Sequence, residues 1–195
     1  TKRGHSVVEK LTDPAKEPDR FSFDTHGKDF EGFSLADTDP PEDQELVPGS
    51  YSVTETVPSG WGLTALTCVS ARNTSATTET APGAQIDLAA GDTVTCTFTN
   101  TKWGTIVVEK TTDPSGGSGF VFTDTIAAPH SFPLDGGSRK TFTDVPPGTY
   151  GITETVAWGW VISDVVCTDG SPTAVPTGTA TVALDAGETV TCTFV

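Results

Sequence analysis

The sequence predicts an all-β chain built as two tandem β-sandwiches of about seven strands each. Three observations carry this. Apolar residues alternate with polar ones through short runs such as "YSVTETV" and "TVTCTFT", the pattern of strands with one buried face. Threonine, glycine and proline are plentiful, helix formers are sparse, and no convincing helix can be read anywhere. The same phrases occur twice in the same order, so one domain has been duplicated.

The duplication sets the boundaries. "TKRGHSVVEKLTDP" (1–14) returns as "TKWGTIVVEKTTDP" (101–114), and "VPGSYSVTETVPSGW" (47–61) as "PPGTYGITETVAWGW" (146–160). "LAAGDTVTCTFT" (88–99) returns as "LDAGETVTCTFV" (184–195). The slow drift in offset reflects different loop lengths in the two copies. The boundary falls at Asn100/Thr101, giving domains 1–100 and 101–195 without a flexible linker, as is usual in stalks and fibres. In the first copy the strands read in order as "SVVEK", "FSF", "YSVTETV", "LTALTCV" and "TVTCTFT", separated by "DP", "PG", "SGW" and "AGD" turns. Trp61 and Trp160 follow equivalent turns and are expected to cap the two cores; Trp103 and Trp158 have no counterparts.

Composition narrows the function. With 11 basic against 26 acidic residues the net charge is −15, which repels phosphate and argues against nucleic acid or anionic lipid as partners. No apolar run reaches the roughly 18 residues that span a bilayer, so no membrane insertion is expected. Methionine is absent even at position 1, so the chain reads as a mature product or a piece of something longer. It opens "TK", as the second copy does at Thr101–Lys102, which fits one repeating unit of an array.

Cys68, Cys96, Cys167 and Cys192 stand in matched positions, and none is spaced as C-x-x-C. That argues against zinc and for two disulfides in an oxidising, extracellular setting. The alternative is four buried free thiols. Pairing within each copy, Cys68–Cys96 and Cys167–Cys192, is the economical choice of three connectivities. His5, His26 and His130 share no spacing. The acidic loop "DTDPPED" offers Asp37, Asp39, Glu42 and Asp43 as a weak calcium candidate, but it lacks the glycine and terminal glutamate of an EF-hand loop. A solvated loop is the stronger reading. No phosphate loop, G-x-S-x-G or H-E-x-x-H appears, so neither enzyme activity nor a cofactor is expected.

Successive strand side chains point to opposite faces, so one buried residue fixes the rest. In the last strand of copy one, Val94, Cys96, Phe98 and Asn100 share a face, while Thr93, Thr95, Thr97 and Thr99 line the other. Val94 and Phe98 mark the core, so Asn100 points inward. In "YSVTETV" Glu55 is in phase with Tyr51, Val53 and Val57, and in the first strand Lys10 is in phase with Val8. Copy two repeats this with Lys110, in phase with Ile106 and Val108, and with Glu154. Isolated charges there would cost several kcal/mol each, so the groups must be paired, neutralised or chemically consumed.

The order "VVEK…PGTYxxTE…CTFTN" resembles the collagen-adhesin B-type, or prealbumin-like (transthyretin-like), Ig-like β-sandwich of bacterial surface proteins and pilins, over nearly all of both copies. The resemblance implies a covalent bond from a first-strand lysine to a last-strand asparagine, promoted by a buried acid. Carried over, Lys10 is the nucleophile, Asn100 the electrophile and Glu55 the promoter, with Lys110 and Glu154 an incomplete second set. The paired cysteines depart from the usual pattern. The alternative is a Lys–Glu ion pair with Asn100 hydrogen-bonded beside it. The expected function is a non-enzymatic repeat of a secreted or surface-anchored filament, pilus or stalk, with neighbouring copies as partners. The alternative is an adhesive module for a carbohydrate or host protein.

Overall fold

The computed structural model describes residues 2–195; Thr1, the first residue of the expected first domain, lies outside them. The chain divides into two compact units, the first closing at Lys102 and the second running from Trp103 to Val195. The chain is all-β, with one short 3-10 turn at Val175–Thr177 among the described residues.

The first unit holds β1 (Gly4–Asp13), β2 (Phe21–His26), β3 (Phe33–Leu35), β4 (Glu42–Leu46), β5 (Gly49–Thr56), β6 (Trp61–Ser70), β7 (Ala76–Thr80), β8 (Gly83–Leu88) and β9 (Thr93–Lys102). They form two sheets, ordered β4-β1-β9-β6 and β3-β2-β5-β8-β7. The first and last strands lie side by side and parallel, paired from His5↔Thr93 to Asp13↔Thr101. This pairing lays the first and last strands of the unit side by side, with its two chain ends at opposite ends of the pair.

The second unit repeats the plan with β10 (Gly104–Lys110), β11 (Phe120–Asp124), β12 (Ser131–Leu134), β13 (Arg139–Val145), β14 (Gly148–Thr155), β15 (Val165–Cys167), β16 (Thr173–Ala174), β17 (Thr179–Leu184) and β18 (Thr189–Phe194). Its sheets are β13-β10-β18-β15 and β12-β11-β14-β17-β16, with β10 and β18 parallel. Nine strands per unit exceed the seven or so that alternation reveals. The extra ones are short pieces such as β3 and β16 at sheet edges, too brief to show a period.

Burial follows the alternation. In β9 every second residue from Val94 to Asn100 is buried and the intervening threonines are half-exposed. Phe21, Phe23 and Phe98 in the first core correspond to Phe120, Phe122 and Phe194 in the second, all at most 1 % exposed. Trp61 meets Phe21 edge-on and Trp160 meets Phe120 edge-on, so each tryptophan closes one end of its core. Trp158, by contrast, is fully exposed. Tyr51 donates its hydroxyl hydrogen to Val47 O and Tyr150 to Pro146 O, tying each "PG" turn to the strand after it. The glycine opening each first strand is required by close approach. A Cβ on Gly4 would stand 2.8 Å from Asp92 O, and one on Gly104 2.6 Å from Glu188 O.

One polar hub belongs to unit 1 alone. Asp92 is fully buried, and its carboxylate accepts from the Ser70, Thr74 and Ser75 hydroxyls and the Arg72, Ser75 and Thr93 amides. Burial alone would raise its pKa, but these donors together hold it well below the usual carboxylate range. Its contribution is therefore present above about pH 4 and lost as pH falls through the depressed folded value. Asp92→Ala strands three backbone donors and is expected to destabilise unit 1 by about 3 kcal/mol in urea denaturation. An unchanged midpoint would contradict this.

Candidate functional site

Three strands from both sheets of unit 1 converge on one buried point. The parallel register sets Lys10 beside Phe98 and Thr12 beside Asn100, so the lysine side chain needs to reach only one pleat along β9. Glu55 enters from the facing sheet, on β5, opposite Phe23 of β2. Lys10 is 3 % exposed, Glu55 2 % and Asn100 0 %.

Lys10 Nζ donates to Asn100 Oδ1 at 2.8 Å, to Leu11 O at 2.7 Å and to Phe98 O at 3.2 Å. It sits 4.1 Å from the centroid of the Phe21 ring. Asn100 Nδ2 donates to Glu55 Oε2 at 2.9 Å. The other carboxylate oxygen, Glu55 Oε1, lies 3.7 Å from Lys10 Nζ and has no hydrogen-bond partner. One carboxyl group thus lies beside both the lysine nitrogen and the amide nitrogen of Asn100, hydrogen-bonded to the second.

Electrostatics move both ionisable groups toward neutrality. Burial lowers the Lys10 pKa to about 8, against the opposing pull of Glu55. Burial likewise raises Glu55, against the Asn100 hydrogen bond and the Lys10 charge. Burial thus favours the free amine of Lys10 more than exposure to solvent would.

In unit 2, Lys110 and Glu154 stand in the same places, each 3 % exposed, with Nζ 3.2 Å from Glu154 Oε1. Lys110 Nζ also donates to Phe194 O at 3.4 Å and lies over Phe120. Neither oxygen of Glu154 has a hydrogen-bond partner. Burial raises the Glu154 pKa, opposed by the Lys110 charge.

The cysteines form two disulfides. Cys68–Cys96 joins directly opposed residues of β6 and β9, and Cys167–Cys192 joins β15 to β18. Each lies within one sheet. In unit 1, β9 is therefore tied to β6 on one side and faces Lys10 on the other.

The acidic loop does not gather. Asp37 accepts from the Thr12 hydroxyl, Asp39 from Arg20 and the Ala36 amide, Glu42 from Gln44, and Asp43 pairs with His5. Among the described residues no group of three or more His, Cys, Asp or Glu side chains could hold a metal ion. The phenylalanine beneath each lysine and the Asp92 hub were not foreseen. The matching "FSF" and "FVF" phrases carried a signal for the first; the serines and threonines around Asp92 carried none.

The family of prealbumin-like fold domains matches residues 7–102 and again 106–195. No curated protein matches the chain. Among solved structures, the Bacillus anthracis TIE protein is 15 % identical over 99 % of this chain at a TM-score of 0.39. This chain spans 34 % of that protein. A C-terminal fragment of the pilus adhesin SpaC from Lactobacillus rhamnosus GG is 14 % identical, with a TM-score of 0.31 and coverage of 99 % and 97 % of the two chains. The Streptococcus pyogenes major pilin T-13 is 11 % identical, with a TM-score of 0.33 and coverage of 100 % and 97 %. The chain belongs to the prealbumin-like fold domain family, with two copies in tandem. Among the described residues no helix is long and apolar enough to cross a membrane.

Proposed function

We propose that this chain is a non-enzymatic structural unit of an extracellular filament, pilus or surface stalk, and that unit 1 locks itself by an amide between Lys10 and Asn100. Neighbouring copies of the chain are its partners, and the cell exterior is its place, as its disulfides require. The observation that carries the reading is the buried contact of Lys10, Asn100 and Glu55, with a lysine whose burial makes it nucleophilic. The neutral amine attacks Asn100 Cγ, forming Nζ–Cγ and breaking Cγ–Nδ2. A proton leaves Nζ to Glu55 Oε1, and Glu55 Oε2 delivers one to the departing nitrogen, so ammonia is released and the carboxyl is restored. Fixed proximity of the reacting groups supplies the effective molarity for a slow reaction that runs once.

The reaction needs a free amine and a protonated acid together. Its rate is expected to pass through a maximum, falling above about pH 8 as the pair loses its remaining proton and falling in acid as the amine is protonated. Freshly refolded protein sampled by mass at several pH values measures this. A rate that rises monotonically to pH 11 would remove Glu55 from the mechanism.

The function itself is tested by pulling. Because β1 and β9 are parallel neighbours, tension applied at the two ends of unit 1 loads their contact in shear, and an amide from residue 10 to residue 100 bypasses it. Unit 1 is expected to withstand force without releasing its interior. Lys10→Ala is expected to add an extension of about 200 Å, at about 3.5 Å per freed residue with the disulfide loop still closed. If wild type and variant extend alike, the load-bearing reading fails.

A further inference from the structure

The two units differ where the loop after β11 passes β13. In unit 1 the equivalent gap is stitched shut: Gln44 of β4 accepts from the Glu31 amide at 3.0 Å and donates to the Glu31 carbonyl at 2.8 Å. Gln44 pairs with Ser6, and in unit 2 Phe142 pairs with the equivalent residue, Ile106. A phenylalanine cannot make that stitch. The loop 125–130 and β13 instead border an open cavity of about 320 Å³. β13 carries a bulge here, between its pairings with Gly104 and Ile106, that β4 lacks. Among the described residues of unit 2, His130 and Asp144 are the two non-glycine residues with positive φ, 59° and 55°, and both line the cavity. Bulges and such backbone conformations gather where a side chain is re-aimed toward a site.

The lining is part apolar and part polar. Phe132, half-buried, meets Phe142 edge-on with ring centroids 5.6 Å apart, and both border the cavity. Around them stand polar groups with bonding capacity to spare. Asp124, 7 % exposed, accepts from the Ile126 and Ala127 amides through Oδ1 alone. Its Oδ2 has no donor among the described residues, an arrangement a buried carboxylate rarely keeps without a use. His130 Nδ1 stands 3.7 Å from Asp124 Oδ1, beyond hydrogen-bond reach. Lys140 Nζ lies 5.5 Å from the Phe142 centroid and makes no ion pair among the described residues.

This mixture selects a class of ligand. A cation would meet Lys140, and an anion would meet Asp124 and Asp144. A neutral molecule that both donates and accepts hydrogen bonds suits every polar group, and one with an apolar face suits the phenylalanines. The volume lies at the small end of ligand sites, room for one six-membered ring with its substituents.

We propose that this cavity of unit 2 binds a neutral sugar, a single hexopyranose unit, with one hydroxyl donating to Asp124 Oδ2 and others meeting His130 and Lys140. The apolar face of the ring lies against Phe132 and Phe142. Unit 2 thereby holds a glycan, a role that unit 1, with its gap closed by Gln44, does not share. The site does not depend on whether Lys10 and Asn100 join.

The test titrates the oxidised, 15N-labelled 195-residue chain with the methyl glycosides of glucose, galactose, mannose and N-acetylglucosamine, each to about 100 mM. At least one is expected to bind saturably with a Kd of about 1–10 mM, as befits one small ring in an open cavity. The amide resonances of residues 124–132 and 140–146 should move while those of unit 1 stay in place. Asp124→Asn keeps an acceptor for the two loop amides and is expected to weaken that sugar about tenfold, the worth of a hydrogen bond to a charged group. Lys140→Ala, on an exposed stretch of edge strand, should weaken it about threefold or more. Silence of all four sugars, or shifts confined to other residues, would overturn the proposal. So would tighter binding of methylammonium or acetate at the same residues. If Asp124→Asn does not fold, Lys140→Ala decides, and an unchanged affinity in either folded variant overturns the assignment.

Discussion

Lys10→Ala is expected to produce the largest loss of stability of any single substitution in unit 1. Two effects add. The proposed amide, between residues 90 apart that are hydrogen-bonded in the fold, would restrain the unfolded chain as a disulfide does, worth about 4.5 kcal/mol on the loop-entropy model. The substitution also leaves Glu55 in the core with Asn100 Nδ2 as its one hydrogen-bond donor and a cavity against Phe21, a further cost of a few kcal/mol. Differential scanning calorimetry should show the unit 1 transition lowered by about 20 °C or more, at roughly 4–8 °C per kcal/mol for a domain of this size. Lys110→Ala removes the ion pair with Glu154 in unit 2 and is the comparison for the ion-pair share of the effect. Equal shifts in the two units would mean that Lys10 acts only as an ion-pair partner.

Reduction of the disulfides is the second large effect. The enclosed loops are 28 and 25 residues, each worth about 3.5 kcal/mol on the same model. The consequence is unequal. In unit 1, β9 pairs with β6 through nine residues and with β1 through nine more, and the proposed amide would add a covalent tie to β1, so β9 is expected to keep its place without the disulfide. In unit 2, β18 meets only the three residues of β15, and Cys167–Cys192 is the covalent tie between them. Under reductant, unit 2 is therefore expected to unfold first, seen as hydrogen exchange rising across residues 104–195 while residues 4–102 stay protected. Loss of protection in unit 1 first would contradict the assigned cross-links.

Much of the architecture was legible in the sequence for a specific reason. The threonine–apolar alternation of residues 93–99 is strict, and the second copy repeats it, so all-β class and tandem sandwiches could be read directly. The inward phases of Lys10, Glu55 and Asn100 follow from alternation within each strand, because period two assigns a strand's residues once one is placed inside: Val8 for Lys10, Tyr51 and Val53 for Glu55, Val94 and Phe98 for Asn100. What alternation leaves open is distance. The parallel pairing of β1 with β9 is long-range, and only that register brings Lys10 Nζ within 2.8 Å of Asn100 Oδ1. The short β15 was illegible too. "VISDVVC" alternates as acceptably as "LTALTCV", yet Trp160–Asp164 form no strand. The acidic loop shows the converse limit: its carboxylates cluster in sequence but turn to separate partners in space.

The central claim is that Lys10 and Asn100 end as one amide. Proteolysis of the oxidised native protein followed by tandem mass spectrometry tests it most directly. The account predicts a branched peptide joining the Lys10 and Asn100 fragments, lighter than their sum by one ammonia and absent from Lys10→Ala. Two separate fragments of full mass, with Lys10 open to amine-reactive labelling after unfolding, would contradict it.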